Sequence, residues 1–337
     1  MQRTDSARVA LVTGGHGFIG THLAAGLARR GFRVVAADRT ASPDERVESA
    51  RLDVTSFAEC LELVRAVRPH VVFHLAAFST VDSAFSDPHA SLATNIGGTA
   101  NMLEAARAVR GGLARFVLAS TDKVYGELCG DAYVETSRLD ARGVYDVGKM
   151  AADHLVRLYG GEFGLPVAIL RLCNVFGPGD PHTASRIVPR TLSRIFAAAG
   201  PLPPVVYEGS MAHGRDYVYV TDVVRALATL AFDPRACGES FNMVPAAHRA
   251  TLDLVAEMIE RSGEACEPHD RDRADAIRKN GYEVIPGAGL PRALEKQHCD
   301  GRKLGALGFS NQVSMAEGLR RTISSFLRSG PVRGRTR

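Results

Sequence analysis

Short, continuous apolar runs alternate with amphipathic segments through the first half of the chain. The apolar runs cover residues 8–13, 33–37, 70–75, 115–120 and 166–171, and the segments with helical spacing cover residues 21–30, 57–67, 89–110 and 145–160. Strands that are apolar on both faces are typical of a parallel sheet that helices cover on both sides. The pattern therefore predicts an α/β fold built on a doubly wound parallel sheet.

The pattern changes after about residue 175, where Gly, Pro and His become dense. Residues 215–220 give the clearest strand of this part, and residues 221–231 and 251–261 have helical spacing. We expect one domain over residues 1–175, with part of the later chain returning to it, and a smaller lobe made mainly of residues 176–327. The basic tail, residues 328–337, is expected to be disordered.

Composition narrows the classes of function. The 337 residues are 45% apolar and carry a formal net charge of +4, without a concentrated basic stripe, so no nucleic-acid partner is expected. The six cysteines are not paired at short spacing, and no His, Asp, Glu and Cys cluster has metal-ligand spacing, so we expect reduced thiols and no metal. No apolar run has membrane-spanning or signal-peptide character, which predicts a cytoplasmic protein without a membrane partner.

Glycines follow the first strand at the spacing of a dinucleotide-binding loop. Gly14 permits a tight turn off the strand, Gly17 lets the backbone approach a pyrophosphate, and Gly20 allows the next helix to pack close to the sheet. The N-terminus of that helix then presents free N–H groups to the anion. Because a strand and a helix flank the glycines, the motif predicts a Rossmann nucleotide site rather than an ordinary turn.

Two acidic positions point to the adenosine end of a dinucleotide. Asp38 closes the second strand roughly 20 residues after the glycines, where a carboxylate can bond an adenosine ribose, which favours NAD. Arg39 beside it could instead accept the 2′-phosphate of NADP. Asp53, with Val54, could contact the adenine or could cap the following helix.

Tyr145 and Lys149 lie four residues apart on a predicted helix and therefore share one face. A phenol needs help to act as a base near neutral pH, and a nearby ammonium favours the phenolate. A lysine at this spacing can also bond a nicotinamide ribose. The pair follows a strand that ends in Ser120 and Thr121, which favours a catalytic role over a solvated helix face.

The chain resembles an extended short-chain dehydrogenase/reductase of the NAD-dependent epimerase/dehydratase family. The resemblance runs from residue 9 to about 225 and returns near the C-terminus. It is carried by TGGHGFIG, HLAAFSTVDSAFSDP, ATNIGGTANMLEAAR, LASTDKVYGE, YDVGK, RLCNVFGPGD, GRDYVYVTDV and CDGRKLGALGFSNQVSMAEGLRRTI. The family implies bound NAD, a nucleotide-diphosphate sugar as substrate, and a homodimer. The NAD contacts it implies are Gly14, Gly17, Phe18, Ile19, Asp38, Arg39, Asp53, Val54, Leu75, Ala76, Ala77, Asn95, Tyr145 and Lys149.

The string Ser120-Thr121-Asp122-Lys123 resembles sugar 4,6-dehydratases, in particular those acting on CDP-glucose. This resemblance implies that Tyr145 takes the proton of the sugar 4-hydroxyl, with Thr121 bonding the same oxygen, while C4 is oxidised. Lys123 would take the C5 proton once burial favours its neutral form, and a protonated Asp122 would give a proton to the departing 6-hydroxyl. Hydride return to C6 would complete a 4-keto-6-deoxy sugar. The alternative is a polar pair at a strand end.

The resemblance also points to residues that would hold the substrate. Asn174 and Arg215 would bond the diphosphate, the arginine through its planar fork, although either could be a structural hydrogen bonder. The remaining substrate contacts that it implies are Thr80, Asp82, Thr121 and Arg186.

Three other functions stay open on the sequence alone. A nucleotide-sugar 4-epimerase would use the same tyrosine, lysine and NAD without elimination, and a plain alcohol dehydrogenase would consume added NAD. A catalytically silent dinucleotide sensor would have no need of Thr121, Tyr145 and Lys149. Asp122 and Lys123 favour the dehydratase.

Overall fold

The structure is a computed structural model that describes residues 8–40, 47–287 and 294–329. The strands are β1 (Val9–Thr13), β2 (Arg33–Asp38), β3 (Glu48–Arg51), β4 (Val71–His74), β5 (Arg115–Thr121), β6 (Val167–Leu172), β7 (Asn174–Phe176), β8 (Val205–Tyr207), β9 (Gly214–Tyr219), β10 (Glu239–Asn242), β11 (Ala247–Ala250) and β12 (Glu283–Ile285). The helices are α1 (Phe18–Ala28), α2 (Phe57–Val67), α3 (Val81–Ser86), α4 (Pro88–Leu92), α5 (Thr99–Ala108), α6 (Val144–Phe163), α7 (Ile187–Ile195), α8 (Val220–Phe232), α9 (Thr251–Cys266), α10 (Arg271–Asn280), α11 (Arg302–Gly305) and α12 (Met315–Ser329).

Seven parallel strands form the central sheet, in the order β10-β6-β5-β4-β1-β2-β3. Every residue of β1, β4, β5 and β6 is buried, as expected of strands that helices cover on both faces. The predicted doubly wound α/β fold is therefore confirmed. The sheet's carboxyl edge collects the ends of β1, β2, β4, β5 and β6, where such folds bind ligands.

One apolar core lies on each face of this sheet. Helices α1 and α8 bury Leu23 and Leu227 on one face, and helices α2, α5 and α6 bury Val64, Met102 and Val156 on the other. The helices thus present one apolar side inward and a polar side outward. In the part of the chain that the structure describes, none of the helices is long and apolar enough to span a membrane.

Later segments build two small sheets and a third core beside the carboxyl edge. Strands β11, β9 and β7 form a three-stranded sheet, and β12 pairs with β8. Helices α7, α9 and α12 bury Leu192, Met258 and Leu319 in one cluster. Asn174, the first residue of β7, and Arg215, near the start of β9, line the same cleft as Thr121 at the end of β5.

Several segments escaped the sequence patterns. Strand β3, which has no buried residue, and strand β10 were not among the predicted strands, whereas α8 matches the helical spacing predicted over residues 221–231. The division into residues 1–175 and 176–327 stays a prediction. Residues 328 and 329 were expected in a disordered tail but belong to α12, whereas residues 330–337 lie outside the described residues.

The sequence predicted one continuous helix over residues 89–110, and this prediction is wrong because the helix is interrupted. The segment comprises α4, a π-helical turn over Ala93–Gly98, and α5. Within the turn, buried Asn95 binds the backbone of Phe78, accepting from its N–H at 2.9 Å and donating to its carbonyl at 3.4 Å. The Thr99 hydroxyl also donates to the Asn95 carbonyl at 2.6 Å. Single π-helical turns of this kind often occur in helices beside functional sites.

Candidate active site

A cleft of about 1790 Å³ lies between the carboxyl edge of the central sheet and the later segments. It gathers nearly every residue that the sequence singled out. The lining includes Gly14, Gly17, Phe18, Ile19, Asp38, Arg39, Asp53, Val54, Leu75, Ala76, Ala77, Thr80, Asp82, Thr121, Asp122, Lys123, Tyr145, Lys149, Asn174, Arg186 and Arg215. Asn95 is the exception, since it is buried behind the wall with both amide atoms bonded to Phe78. Its expected contact with the cofactor stays a prediction.

The glycine loop leaves no room for side chains at two positions. Gly14 has a φ of +65°, and a Cβ there would lie 2.7 Å from the Ala76 nitrogen. A Cβ on Gly20 would overlap the Gly14 carbonyl oxygen. Helix α1 then starts at Phe18 without a side-chain cap, which leaves its first N–H groups available to an anion in the cleft.

Asp38 and Asp53 lie at the same end of the cleft, and both are fixed by hydrogen bonds. The Asp38 carboxylate accepts from the His16 N–H at 3.2 Å and from the Arg39 N–H at 2.8 Å. Asp53 accepts from the Thr55 N–H at 2.9 Å, which is the largest reason that its pKa is lowered. The cap of α2 is Ser56 rather than Asp53. This end of the cleft therefore has two carboxylates that are held in place by hydrogen bonds.

Tyr145 and Lys149 lie in the first turns of α6, beside Thr121 at the end of β5. Burial raises the pKa of Tyr145 to about 12, while the Arg186 guanidinium and a hydrogen bond with Thr121 act against that rise. The strongest cationic influence on the phenol is thus Arg186, whereas the sequence argument expected Lys149. Thr121 and Tyr145 nevertheless meet in the cleft as predicted from their order in the chain.

Lys149 is buried, and its ammonium donates to the Ala119 carbonyl at 2.6 Å. Burial lowers its pKa to about 8, against a smaller opposing effect of Asp153. That carboxylate pairs with the buried Arg171 guanidinium through two bonds of 2.9 Å, one to each oxygen. Buried ion pairs with satisfied geometry hold fixed positions, so this pair supports the helix turn that carries Lys149.

Asp122 is a buried carboxyl group with one partnered and one unpartnered oxygen. The Thr121 hydroxyl donates to its Oδ1 at 3.2 Å, and its Oδ2 has no partner among the described residues. Burial raises the pKa of Asp122, and Asp216 adds to that effect, although Lys123 acts against it. An acid in this setting holds its proton more strongly than in water and can donate it.

Sequence reasoning missed two residues around Lys123. The Lys123 ammonium donates at 3.1 Å to the Oε1 of Gln297, a fully buried side chain from the C-terminal part of the chain. Asp146 follows Tyr145 and lines the cleft, with an Oδ1 that has no partner among the described residues. Burial raises the pKa of Asp146, and Lys123 lowers it. The adjacency of Asp146 to Tyr145 was a visible signal, whereas nothing in the sequence marks Gln297.

Basic and amide side chains line the side of the cleft opposite the glycine loop. Arg215 donates to the carbonyl groups of Gly214 and Glu295 at 2.8 and 2.9 Å, and also to that of Leu294. Arg186 donates to Asp180 at 3.3 Å. These arginines are thus bound to the protein's own acceptors.

Asn174 and Thr80 complete the same wall. Asn174 lines the cleft, and its amide donates to the Asp216 carbonyl at 3.1 Å. Thr80 caps α3 by accepting from the Ser83 N–H at 3.2 Å. In the first turn of that helix, Asp82 has a buried Oδ1 without a partner among the described residues. The wall therefore offers both donors and acceptors to a polar ligand.

Comparison with known proteins shows to which family the chain is similar in sequence. The model of the NAD dependent epimerase/dehydratase family matches residues 10–243. The chain is 32% identical to the dTDP-glucose 4,6-dehydratase of Xanthomonas campestris pv. campestris strain B100, over 73% of each chain. The residues that the family model matches include the glycine loop, Thr121 and the Tyr145–Lys149 pair.

Solved structures resemble the whole chain. The UDP-glucose 4-epimerase of Thermus thermophilus, in complex with NAD, is 31% identical with a TM-score of 0.80, covering 95% of this chain and 99% of that one. The dTDP-glucose 4,6-dehydratase of Streptomyces venezuelae, a double mutant with NAD bound, is 26% identical with a TM-score of 0.80, covering 95% and 97%. Epimerases and dehydratases thus share this architecture.

Proposed function

The chain belongs to the NAD-dependent epimerase/dehydratase family, and from this premise we propose that it is a nucleotide-sugar 4,6-dehydratase. The reaction forms a 4-keto-6-deoxy sugar by oxidation at C4, loss of water across C5 and C6, and reduction at C6. The observation that carries the proposal is Asp122, a buried acid with a raised pKa and an unpartnered oxygen, in the same cleft as Tyr145. An epimerase has no departing hydroxyl that needs such an acid.

The residues present fit NAD. Gly14 and Gly20 have no room for a Cβ, which keeps the turn tight and holds helix α1 close to the sheet, so that its uncapped first N–H groups can bind a pyrophosphate. Asp38 lies at the end of β2, where a carboxylate bonds a ribose and disfavours a 2′-phosphate. Lys149 and Tyr145 would hold the nicotinamide end. When bound, NAD supplies the hydride acceptor for oxidation at C4 and the donor for reduction at C6.

Tyr145 acts as the base that removes the proton of the 4-hydroxyl. Its pKa of about 12 is too high for an efficient base at neutral pH, so the phenolate needs cationic support. Arg186 supplies part of that support, and the buried ammonium of Lys149 lies one helical turn away on the same face. When the sugar binds, the Thr121 hydroxyl turns from Asp122, its acceptor in the structure, to donate to the reacting oxygen and hold it beside Tyr145.

Asp122 and Lys123 carry out the elimination. Oxidation at C4 acidifies the C5 hydrogen. Lys123 removes this hydrogen as the neutral amine, after its ammonium has given a proton to solvent, and Asp122 protonates the departing 6-hydroxyl. Because the Thr121 hydroxyl already donates to Oδ1, the acidic proton of Asp122 belongs on Oδ2, the oxygen without a protein partner among the described residues. Gln297 accepts from the Lys123 ammonium at 3.1 Å and thereby fixes its direction.

The substrate class follows from the basic wall and from the family. Arg215 and Arg186 each have N–H groups beyond those bound to the protein's own acceptors, and these can donate to a diphosphate, to which the Asn174 amide can add a bond. The relatives named above act on dTDP- and UDP-linked sugars, which supports a nucleotide-diphosphate sugar here. A homodimer and a cytoplasmic location stay predictions from the sequence.

A 4-epimerase is the second candidate, because the Thermus thermophilus structure is nearly as similar in sequence as the dehydratase relative. The experiment that separates the two incubates the purified enzyme with CDP-glucose, dTDP-glucose, UDP-glucose, UDP-N-acetylglucosamine and GDP-mannose. Mass spectrometry should detect a product lighter by one water, with no added NAD consumed. An isomer of unchanged mass would instead identify an epimerase, and stoichiometric consumption of added NAD a plain dehydrogenase.

A further inference from the structure

Two histidines converge on one buried carboxylate outside the cleft. The Nδ1 atoms of His248 and His298 lie 2.8 and 2.9 Å from the same Oδ1 of Asp216. Each of the three residues has an atom that could bind a metal ion, and these three atoms all lie within 4.8 Å of one another. The two imidazole rings meet edge to face, with centroids 5.2 Å apart. Along the chain the histidines lie 32 and 82 residues from Asp216, so no spacing motif reveals the group.

The three side chains are held by regular hydrogen bonding of the backbone. Asp216 and His248 are directly paired across the antiparallel strands β9 and β11, so their side chains share one face. The carbonyl of His298 accepts from the Tyr133 N–H at 2.8 Å, and the N–H of Cys299 donates to the other oxygen of Asp216 at 2.7 Å. The group is thus preorganised by its supporting hydrogen bonds, as built metal sites are.

The carboxylate of Asp216 is fully buried, and a buried carboxylate needs compensating positive charge. The side chains that bond to it among the described residues are these two imidazoles, because the neighbouring Arg215 donates to main-chain carbonyl groups instead. A second buried acid, Asp122, lies close enough for Asp216 to raise its pKa. A cation bound by the histidines would therefore offset the negative charge of the two neighbouring acids, Asp216 and Asp122.

We propose that Asp216, His248 and His298 form a binding site for a divalent zinc-type cation. Two imidazole nitrogens and one carboxylate oxygen are a donor set that Zn²⁺ uses, with water in the fourth position of a tetrahedron. The histidine side chains are 45% and 43% exposed, so the cation and its water can enter from solvent. The cation would not contact the nucleotide sugar, so its binding can be measured apart from the function proposed above.

The cation would fasten the C-terminal segment to the substrate wall. Asp216 follows Arg215 on β9, and His298 follows Gln297, the partner of the Lys123 ammonium. A cation shared by Asp216 and His298 ties these two neighbours together. Its role is therefore to support the position of Arg215 and Gln297, not to act on the sugar.

The test measures zinc binding by the untagged full-length chain after removal of metals by a chelator. Titration calorimetry with zinc chloride alone should give one site per chain, and zinc should raise the thermal midpoint. His248→Ala and His298→Ala should each weaken binding by at least about tenfold, since each removes one of three ligands. His269→Ala is the matched control, because His269 is exposed and its N–H bonds to Cys266 at the end of α9, and it should bind as the parent does.

Two results would overturn the proposal. One is the absence of stoichiometric binding by the parent chain, which would leave the histidines as hydrogen-bond donors to Asp216 only. The other is equal binding by the parent and both variants, which would identify zinc bound to other surface groups. Neither readout uses a substrate, so either result leaves the proposed dehydratase function untouched.

Discussion

Replacing Asp122 with asparagine should separate oxidation at C4 from loss of water. Asparagine has the size of aspartate and can still accept from the Thr121 hydroxyl, whose bond to Oδ1 is 3.2 Å long. It cannot supply the proton that the departing 6-hydroxyl needs. Loss of a positioned general acid costs a factor of about 10² to 10⁴ in rate. We therefore expect the rate of water loss to fall by that factor while oxidation at C4 persists.

The same substitution should not destabilise the fold near neutral pH. The pKa of Asp122 is raised in the folded state, so between its ordinary value of 3.8 and the raised value the folded state binds more protons than the unfolded state. The free energy of unfolding therefore falls as pH rises through that window. Above it, the full cost of ionising the buried carboxyl group is present. A neutral asparagine side chain at this position would not carry the penalty. The thermal midpoint of Asp122→Asn should thus equal or exceed the parent's at neutral pH, with the difference shrinking in acid.

The assay combines two readouts on the reactive nucleotide sugar. Mass spectrometry measures the product lighter by one water, and the near-ultraviolet absorbance of the bound cofactor follows oxidation at C4 in a single turnover. Asp131→Asn, at an exposed loop position, is the matched control and should retain full activity. Unchanged water loss in Asp122→Asn would refute the assignment of the acid.

Three further substitutions test the cofactor side of the cleft. Lys149→Met should lower activity at least about 100-fold and yet gain thermal stability over the parent near neutral pH. Because the pKa of Lys149 is lowered to about 8 in the folded state, this gain should shrink as pH rises from about 8 towards the ordinary value of 10.5, and a constant gain would contradict the burial argument. Asp38→Ser should reduce the preference for NAD over NADP by at least about tenfold in cofactor-binding titrations, and an unchanged preference would remove Asp38 from the ribose site. Gly20→Ala should lower the free energy of unfolding, measured with denaturant, by about 1–3 kcal/mol, because its Cβ would overlap a carbonyl oxygen. Gly161→Ala is the control, because Gly161 has open space around it, and it should change that free energy by less than about 1 kcal/mol.

The elements that sequence predicted well are those with a local signal. Strand β1, the turn at Gly14 and helix α1 follow one another within a short stretch of chain, and each has a period or a conformational requirement of its own. The order of Thr121, Tyr145 and Lys149 along a strand and a helix placed them at one edge of a parallel sheet. All three do line the same cleft.

The missed features depend on partners far away in the chain. Gln297 meets Lys123 across 174 residues, and its own neighbours in sequence contain no recognisable motif. Strand β3 has no buried residue and pairs at the sheet edge, so it carries no apolar alternation. The π-helical turn at Asn95 was missed because its side chain bonds to the backbone of Phe78, 17 residues earlier in the chain, and the apolar spacing of a helix does not reveal such a contact.

The central claim is the elimination, and one isotope experiment tests it most directly. The reactive nucleotide sugar would be prepared with deuterium at C4 and converted by the enzyme in ordinary water. The account predicts a product lighter by one water that retains the deuterium at C6, because C4 is oxidised and C6 reduced within one turnover. An epimer of unchanged mass with the deuterium still at C4 would contradict the dehydratase assignment.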